Sequence, residues 1–597
     1  MLGRGVVVMV PALTAAALCL ASHGTALAGQ RPATPGGPRP GSVAASGPVR
    51  GGWLAARSTG TAEYGPVSCA PGAAGRCTMV GANTGGNGIH ALVATAKAGA
   101  LGPAKQIPGT VALSTGSDGV FVTAGALSCP AAGDCLAAGS YFDKSNFSQV
   151  YVAGEVKGAW HKAVPVPGLA KLNTGGNATV LSASCASPGN CAITGMYTPG
   201  KAHSLADLSQ AFVASEVAGV WRAATAVPGI GKLNTGDSAV GTVISCTGPG
   251  DCALGGNYQA TSGGYDLPFI DSEVHGTWGA AEAVPGRPVT RGNYGITAIS
   301  CPGIGDCVAA GNDNNGSYTI TQLGSGWSKA AAVSGLGWVE ALSCPAVGRC
   351  AAGGATSSGY GGFAVTATER GGTWGKAVLV PGAKAFTYKG KHATSSEIQS
   401  LSCPAAGYCV AGGDFFVSVN DSTAYSRGLV VSETAGAWGT ARIPPGLAGL
   451  DRAVSSEVMY VACAAPATCV AIGIYDPSEY REDGFLSAEL PWQPTRTALR
   501  LSLAHVVPGQ EQAAKITVGV SAHGSTPGAV PAGKVTVRAG SKTVCVIKLT
   551  AGAGKAAGGC RLTSRELKPG SYRVTAVYPG SGPFESSASA ASVLTVA

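Results

Sequence analysis

Charged residues are scarce in this chain of 597 residues, in which Asp, Glu, Lys and Arg together account for 12%. The 40 Lys and Arg residues are scattered without a basic run, so the net charge of +9 does not indicate nucleic-acid binding. Beyond residue 28, no apolar stretch is long enough to span a membrane. We therefore expect neither a nucleic-acid partner nor a transmembrane segment.

Motifs of known catalytic and metal sites are also missing. The sequence has no HExxH and no GxSxG, the motifs of zinc proteases and of α/β-hydrolases. The cysteines lack the C-x2-C spacing of structural zinc sites, and the stretch 312–315 offers too few oxygen ligands for calcium. We therefore predict no metal and no cofactor, and the balance favours a protein that is not an enzyme.

Glycine, by contrast, is abundant at 92 residues, and much of it lies in a repeat built on paired cysteines. The copy from Ser128 to Tyr141 reads SCPAAGDCLAAGSY, and variants of it recur at intervals of roughly 40 to 60 residues. Two short apolar runs flank a Gly/Pro turn in each copy, which predicts a β-hairpin with facing cysteines within bridging distance. The predicted disulfides, including one near the C-terminus, are Cys69–Cys77, Cys129–Cys135, Cys185–Cys191, Cys246–Cys252, Cys301–Cys307, Cys344–Cys350, Cys403–Cys409, Cys463–Cys469 and Cys545–Cys560.

Each repeat continues with two more short segments. One alternates apolar and polar residues, as in Gln149 to Val156, and the other runs from Gly-x-Trp to Val-Pro-Gly, as in Trp160 to Gly168. Four short strands per repeat predict a β-propeller blade, and the lack of a 3.6-residue apolar period excludes a helical solenoid. Eight copies predict an eight-bladed propeller, with seven blades as the alternative because the copy from Ser300 to Glu340 is short.

The fold class is thus all-β, and the chain divides into four segments. Residues 1–28 resemble a secretory signal peptide, and residues 29–50 form a Pro/Gly-rich leader that we expect to be disordered. Residues 51–493 form the disulfide-stapled propeller, whose last blade takes its outer strand from Trp53 to Arg57 or, alternatively, from Trp492. Residues 494–597 show the short alternating strands of a β-sandwich. Export and paired cysteines predict a secreted, extracellular monomer, with cell-wall association as an open alternative.

Three segments resemble known families. The segment from Gly570 to Gly580, GSYRVTAVYPG, together with Phe584, resembles bacterial Ig-like repeat domains of secreted actinobacterial proteins. The SCP-x4-C-x-A-x-G repeats resemble propeller-like repeats of the same group, and Thr368 to Trp374 resembles a degenerate Asp-box of the sialidase-type propellers. Asp-boxes are structural turns in those families, so the resemblance implies a propeller followed by an Ig-like domain and implies no activity.

Propeller geometry separates the loops into two faces. The cysteine hairpins are short and nearly uniform, whereas the loops on the opposite face are long and varied, so we predict that the second face binds ligand. Its aromatic residues lie beside Ser, Asn and Asp, a combination that suits sugar rings or peptides. The alternative is that these rings pack against the next blade. The predicted ligand-binding residues are Tyr141, Phe142, Tyr197, Tyr258, Tyr265, Tyr318, Tyr360, Phe415, Tyr425, Tyr475 and Tyr480.

Three functional hypotheses follow. The favoured one is a non-enzymatic binding or adhesion protein that recognises an extracellular polysaccharide, wall polymer or protein. The second is a glycoside hydrolase or lyase, which requires two carboxylates, or Arg with Tyr and Glu, at the mouth of the channel. The third is a structural envelope protein. We interpret the loop with Tyr480, Glu482 and Asp483 as a solvated charged loop, and Arg442 to Pro444 as an ordinary strand end.

Overall fold

The computed structural model describes residues 51–72, 75–85, 88–117, 119–200, 208–286, 295–357, 361–388, 390–420, 423–451, 455–478, 481–523, 530–552 and 555–597. The predicted signal peptide and leader lie outside this part of the chain and stay predictions. The described residues are mainly β-strand, and none of their helices is long and apolar enough to cross a membrane. The helices are single turns at Thr110–Leu113, Leu169–Leu172, Ile230–Leu233 and Leu447–Leu450, with a 3-10 turn at Glu511–Ala513.

Each cysteine repeat folds into one antiparallel sheet, and we call these sheets blades 1 to 8 in chain order. From the innermost strand outward, blade 1 consists of Ala62–Cys69, Arg76–Gly85, Gly88–Lys97 and Ala100–Leu101, and blade 2 of Ala126–Ala131, Asp134–Phe142, Ser148–Val156 and Ala159–Trp160. In the same order, blade 3 consists of Ala178–Ser187, Asn190–Tyr197, Gln210–Val217 and Val220–Trp221, and blade 4 of Ala239–Gly248, Asp251–Gln259, Asp266–Val274 and Thr277–Trp278. Blade 5 consists of Ile296–Gly303, Asp306–Asp313, Gly316–Leu323 and Gly326–Trp327, and blade 6 of Trp338–Ala346, Arg349–Ala355, Ala364–Arg370 and Thr373–Trp374. Blade 7 consists of Ser395–Ala405, Tyr408–Asn420, Thr423–Thr434 and Ala437–Trp438, and blade 8 of Ser456–Ala465, Thr468–Ser478, Arg481–Pro491 and Gly51–Trp53.

The blades are arranged in a closed ring, which is the architecture of a β-propeller. The innermost strand of each blade contacts that of the next, and the innermost strand of blade 8 contacts that of blade 1. A separate hydrophobic core fills each interface between neighbouring blades. Gly51–Trp53 closes the ring as the outer strand of blade 8, where Trp53 pairs with Glu489. Trp53 is 1% exposed and takes the position for which Trp492, 48% exposed, was the alternative.

The fourth segment of a repeat is shorter as a strand than the sequence predicts. In blade 2 its first half pairs at Glu155 with Trp160, and its second half pairs at Val152 with Val164. Between the halves the chain leaves the sheet, so one strand becomes two of two residues each. The second halves and other short strands are Lys105–Gln106, Val120–Phe121, Val164–Pro165, Thr225–Ala226, Glu282–Ala283, Ala331–Ala332, Val378–Leu379, Thr387–Tyr388, Lys391–His392 and Arg57–Gly60.

The structure joins the cysteines in the nine predicted pairs. In blade 3, for example, Cys185 and Cys191 are direct partners across the hairpin, with their Cα atoms 3.9 Å apart. The facing positions explain why the same spacing recurs in seven of the eight repeats, with two more residues between Cys69 and Cys77. Cys545–Cys560 differs, because it links the two sheets of the C-terminal sandwich.

The serine before the first cysteine of each repeat connects neighbouring blades. The Ser68 hydroxyl accepts a hydrogen bond of 3.0 Å from the backbone N–H of Cys129 in the next blade. The same bond recurs at 2.8–3.1 Å across six further interfaces. Blade 8 carries Ala462 at this position, so the interface between blades 8 and 1 lacks this bond. The recurring Ser-Cys dipeptide is therefore a connection between blades as well as part of a disulfide.

The C-terminal part is a sandwich of two sheets around its own core. One sheet consists of Thr495–Leu501, Lys515–Ala522, Lys555–Arg561 and Thr550–Ala551, and the other of His505–Val506, Ser592–Val596, Gly570–Tyr578, Lys534–Ala539 and Lys542–Lys548, with Ser587–Ala588 at its side. The sandwich lies against the strand that closes the propeller. The two backbones are so close that a Cβ atom added at Gly52 would lie 2.3 Å from the Gly582 carbonyl oxygen.

Candidate functional site

The innermost strands carry a β-bulge four residues before the first cysteine of the repeat. A bulge re-aims the side chain at that position. The hydroxyl groups of Thr242 and Thr297 donate hydrogen bonds of 2.6 and 3.2 Å to carbonyl oxygens on the innermost strand of the next blade. These bulged positions therefore lie between neighbouring innermost strands, around the axis of the ring. The bulged residues in blades 3 to 8 are Leu181, Thr242, Thr297, Glu340, Gln399 and Met459.

Carboxylates are concentrated on one side of this inner wall. Glu340 occupies the bulge of blade 6, and Glu397, Glu457 and Glu63 occupy the position two residues earlier in blades 7, 8 and 1. We call these four residues the acidic half-ring. The same two positions are uncharged in blades 2 to 5, where they are Thr123, Gly125, Thr179, Leu181, Val240, Thr242, Gly295 and Thr297.

The acidic half-ring continues inward to a fully buried carboxylate. Asp414 is 0% exposed and pairs in register with Glu397 on the adjacent strand. The Gln399 side-chain amide donates hydrogen bonds to both, at 3.2 Å to Glu397 Oε1 and 3.4 Å to Asp414 Oδ1. Asp414 Oδ2 has no hydrogen-bond partner among the described residues. Burial, and then the charges of Glu457 and Glu397, raise the pKa of Asp414 well above its usual range.

Glu340 lies on the same wall beside an aromatic ring. The half-buried Trp338 donates its indole N–H to Glu340 Oε1. Burial raises the pKa of Glu340 to about 7, although the hydrogen bond from Trp338 lowers it. The neighbouring charge of Glu397 adds to the rise. One carboxyl group that holds a proton near neutrality therefore lies beside a second carboxylate and an indole ring.

Two further carboxylates, Asp476 and Glu482, extend the half-ring to the mouth of the channel. Burial, followed by Glu397 and Asp476, raises the pKa of Glu457, and burial raises that of Asp476. Partial burial and then Glu63 raise the pKa of Glu482, whose side chain is exposed, so that solvent screens part of the effect. Burial and then Asp483 raise the pKa of Glu63. These carboxylates thus form one continuous group, in which the charge of one carboxylate adds to the effect of burial and raises the pKa of a neighbour, as Glu397 does for Glu457 and Glu63 does for Glu482.

Two arginines near the mouth are engaged by their own carboxylates. Arg481 donates to both oxygens of Asp483, at 2.8 and 2.9 Å. Arg427 is 2% exposed and forms an ion pair of 2.9 Å with Asp451. Asp483 is 4% exposed, so our interpretation of its loop as solvated is wrong for this residue. Both arginines are therefore neutralised by partners outside the acidic half-ring.

Most of the predicted aromatic residues are packed between blades. Tyr265 is 46% exposed, and Phe142 and Tyr425 are half-buried. Tyr360 and Tyr480 lie outside the described residues. Burial corrects the prediction for the others, because their rings belong to the cores between blades, as the alternative expected. These buried residues are Tyr141, Tyr197, Tyr258, Tyr318, Phe415 and Tyr475.

Two other sequence features have structural roles. Arg442 pairs through its backbone with Val430, as expected of a strand end. Asn312, in the stretch weighed for calcium, is 0% exposed, donates to the Val339 carbonyl at 2.8 Å and accepts from the Val339 N–H at 2.7 Å. Among the described residues, no group of three His, Cys, Asp or Glu side chains is arranged to hold a metal ion.

The acidic half-ring itself was missed by the sequence analysis. Its signal was present, because alignment of the repeats on their first cysteine places glutamate at the two inner positions only in four repeats that are consecutive around the closed ring. Chemically, the arrangement attracts cations, repels anionic sugars and combines a protonated acid with a carboxylate. The half-ring supplies carboxylates, the residue type that the enzyme hypothesis requires at the mouth of the channel.

No family model and no curated protein matches this chain. Among solved structures, it is similar to the Hadza microbial sialidase Hz136 at 11% identity, over 60% of this chain and 73% of that one, with a TM-score of 0.31. A prolyl endopeptidase matches at 11% identity over 78% and 54%, with a TM-score of 0.37, and a PL25 ulvan lyase at 9% over 60% and 90%, with a TM-score of 0.30. TM-scores this low carry no information about substrate.

Proposed function

We propose that this chain is a secreted glycan-binding protein whose ligand docks at the acidic half-ring of the propeller channel. One observation carries the proposal, namely that glutamates fill the inner wall of blades 6, 7, 8 and 1 whereas uncharged residues fill the equivalent positions elsewhere. Burying carboxylates together costs stability, and the other blades show that the fold does not need them. Nine disulfides support an extracellular location.

A glycan suits this wall better than a purely ionic ligand does. Trp338 offers an aromatic face next to Glu340, and carboxylates accept hydrogen bonds from sugar hydroxyls, the pairing that sugar-binding sites use. Tyr425 and Tyr265 add partly exposed rings outside the channel. The C-terminal sandwich, which contacts the closing strand at Gly52, acts in this proposal as an Ig-like spacer.

Cleavage of the bound glycan is a second candidate function. The observation that favours it is the pair Glu340 and Glu397, in which burial raises the pKa of Glu340 to about 7 and the charge of Glu397 adds to the rise. A protonated acid beside a carboxylate is the arrangement that glycoside hydrolysis requires. Glu340 would protonate the leaving oxygen as the glycosidic bond breaks, and Glu397 would stabilise positive charge at the sugar carbon. Water would then add to that carbon and return a proton to Glu340.

Co-sedimentation with insoluble polysaccharides and purified cell walls tests the binding proposal. The oxidised full-length chain is expected to be retained, and Trp338→Ala and Glu457→Gln are expected to reduce retention about tenfold or more. Glu585→Gln, on the exposed surface of the sandwich, is the matched control and should bind normally. Retention that is unchanged in both channel variants would refute the site.

Release of reducing or unsaturated sugar ends from the retained polymers tests the cleavage candidate. Hydrolysis or elimination lost in Glu340→Gln, with retention unchanged, would establish it. Retention without any release of ends would leave binding as the function.

A further inference from the structure

A comparison between repeats identifies Asp414 as an unusual residue. Asn312 occupies the same place in blade 5, five residues after the second cysteine, and its amide donates to the Val339 carbonyl and accepts from the Val339 N–H and the Ser317 hydroxyl. Asp414 is as deeply buried, yet Oδ2 finds no partner among the described residues. An unsatisfied buried oxygen costs about 1–3 kcal/mol, a cost that an asparagine would avoid. A residue that lowers stability at a position where asparagine would fit indicates that this position serves to bind a ligand.

The neighbours of Asp414 define the charge of that ligand. Glu397 and Glu457 are half-buried on the inner wall, and their charges act on Asp414. Asp476 and Glu482 add negative charge toward the mouth, while Arg427 and Arg481 are held by Asp451 and Asp483. A cation that entered between Glu397 and Glu457 would replace repulsion among the carboxylates with attraction.

Resting on the proposed glycan-binding function, we infer that the ligand is a glycan with free amino groups, whose ammonium group is held by Glu397 and Glu457 with Asp414 behind them. An ammonium group donates three hydrogen bonds, and the carboxylate oxygens of Glu397 and Glu457 are acceptors for such bonds. The uncharged half of the channel then accommodates the rest of the sugar ring, with Trp338 against one face. A uronic or sialic polymer would be repelled by the same wall.

Two oligosaccharides that differ only in N-acetylation provide the test, namely a glucosamine oligomer and its N-acetylated form. Titration calorimetry with the oxidised full-length chain is expected to show about tenfold tighter binding of the amine form at about 0.05 M salt, with the difference shrinking at about 0.5 M. Glu397→Gln and Glu457→Gln should each remove most of that preference. The exposed Glu482→Gln, which leaves the wall intact, should reduce it less, and Glu585→Gln should have no effect.

Each outcome decides one part of the inference. Equal or tighter binding of the N-acetylated oligomer would overturn the amine specificity and leave the glycan-binding proposal intact. Failure of both oligomers, together with failure of every polymer in co-sedimentation, would overturn both. Tighter binding of an oligolysine peptide than of the glucosamine oligomer would replace the glycan with a basic protein partner. Thermal melting of each variant shows whether a loss of binding reflects unfolding.

Discussion

Replacement of Asp414 by asparagine should stabilise the propeller at neutral and alkaline pH. By analogy with Asn312, the amide at position 414 is expected to bond the backbone of Val458, which precedes the bulge of blade 8 as Val339 precedes that of blade 6. The gain has two sources, the loss of an unsatisfied buried oxygen and the removal of repulsion from Glu397 and Glu457. We expect about 1–3 kcal/mol at about pH 8.

The sign of the pH dependence follows from the raised pKa of Asp414, which burial causes first and the two glutamates second. The native state binds this proton more tightly than the unfolded chain, so wild-type stability falls as pH rises from about 4 through the native pKa, by up to about 1.4 kcal/mol per unit. Asp414→Asn lacks this loss. The stability advantage of Asp414→Asn should therefore be smallest near pH 4 and grow as pH rises.

Urea unfolding at several pH values, followed by tryptophan fluorescence, measures the difference. The carboxylates of Glu340, Glu397, Glu457, Asp476 and Glu482 are present in both proteins, so their own pH dependence largely cancels. Asn312→Asp is the reciprocal control, and it should destabilise blade 5 and introduce a pH dependence of the same sign. A variant Asp414→Asn that is less stable at pH 8, or more stable by a constant amount at all pH values, would refute the argument.

Three further predictions concern the interface between blades 8 and 1, the hairpin disulfides and the junction with the sandwich. Ala462→Ser should add the missing hydrogen bond to the Cys69 N–H and raise the free energy of unfolding by about 1 kcal/mol, measured in urea; no gain would mean that this N–H already has a partner. Reduction of the eight hairpin disulfides should lower the melting temperature by tens of degrees. Each disulfide contributes about 2 kcal/mol, and their summed contribution of about 16 kcal/mol exceeds the typical stability of a domain, about 5–15 kcal/mol. A reduced form that melts within a few degrees of the oxidised form would contradict this. Gly52→Val should displace the loop at Gly582 and expose the sandwich junction to proteolysis, whereas Gly154→Val, where a Cβ meets nothing within 4 Å, should not.

Local patterns were enough to predict the hairpins and their pairing. Five residues between cysteines, with a Gly/Pro turn among them, leave the two thiols facing each other, and the structure joins them so. The Gly-x-Trp pattern likewise predicted that the chain near Trp53 supplies the outer strand of the last blade, and Gly51–Trp53 pairs with Arg481–Pro491 in that blade. These features depend on residues close in sequence or on a repeated motif, and both are visible in one dimension.

The burial of the aromatic residues could not be predicted from local patterns. Tyr141 and Tyr258 end their second strands beside polar loops, and this pattern fits a binding surface and a blade interface equally well. Which of the two applies depends on the blade that packs against them, and these rings are only 7% and 6% exposed. Loop sequences do not contain that information.

The sequence by itself determined the unit of this protein, a four-stranded sheet with a disulfide hairpin, because strand alternation, turn residues and cysteine spacing act within a repeat. Only the tertiary structure decided where the acidic half-ring forms. Glu63 and Glu457 are far apart in the chain, and they share the channel because the first and last repeats become neighbours when the ring closes. Burial raises the pKa of Glu482, and the charges of both glutamates raise it further through space, an effect that exists only after the ring has closed.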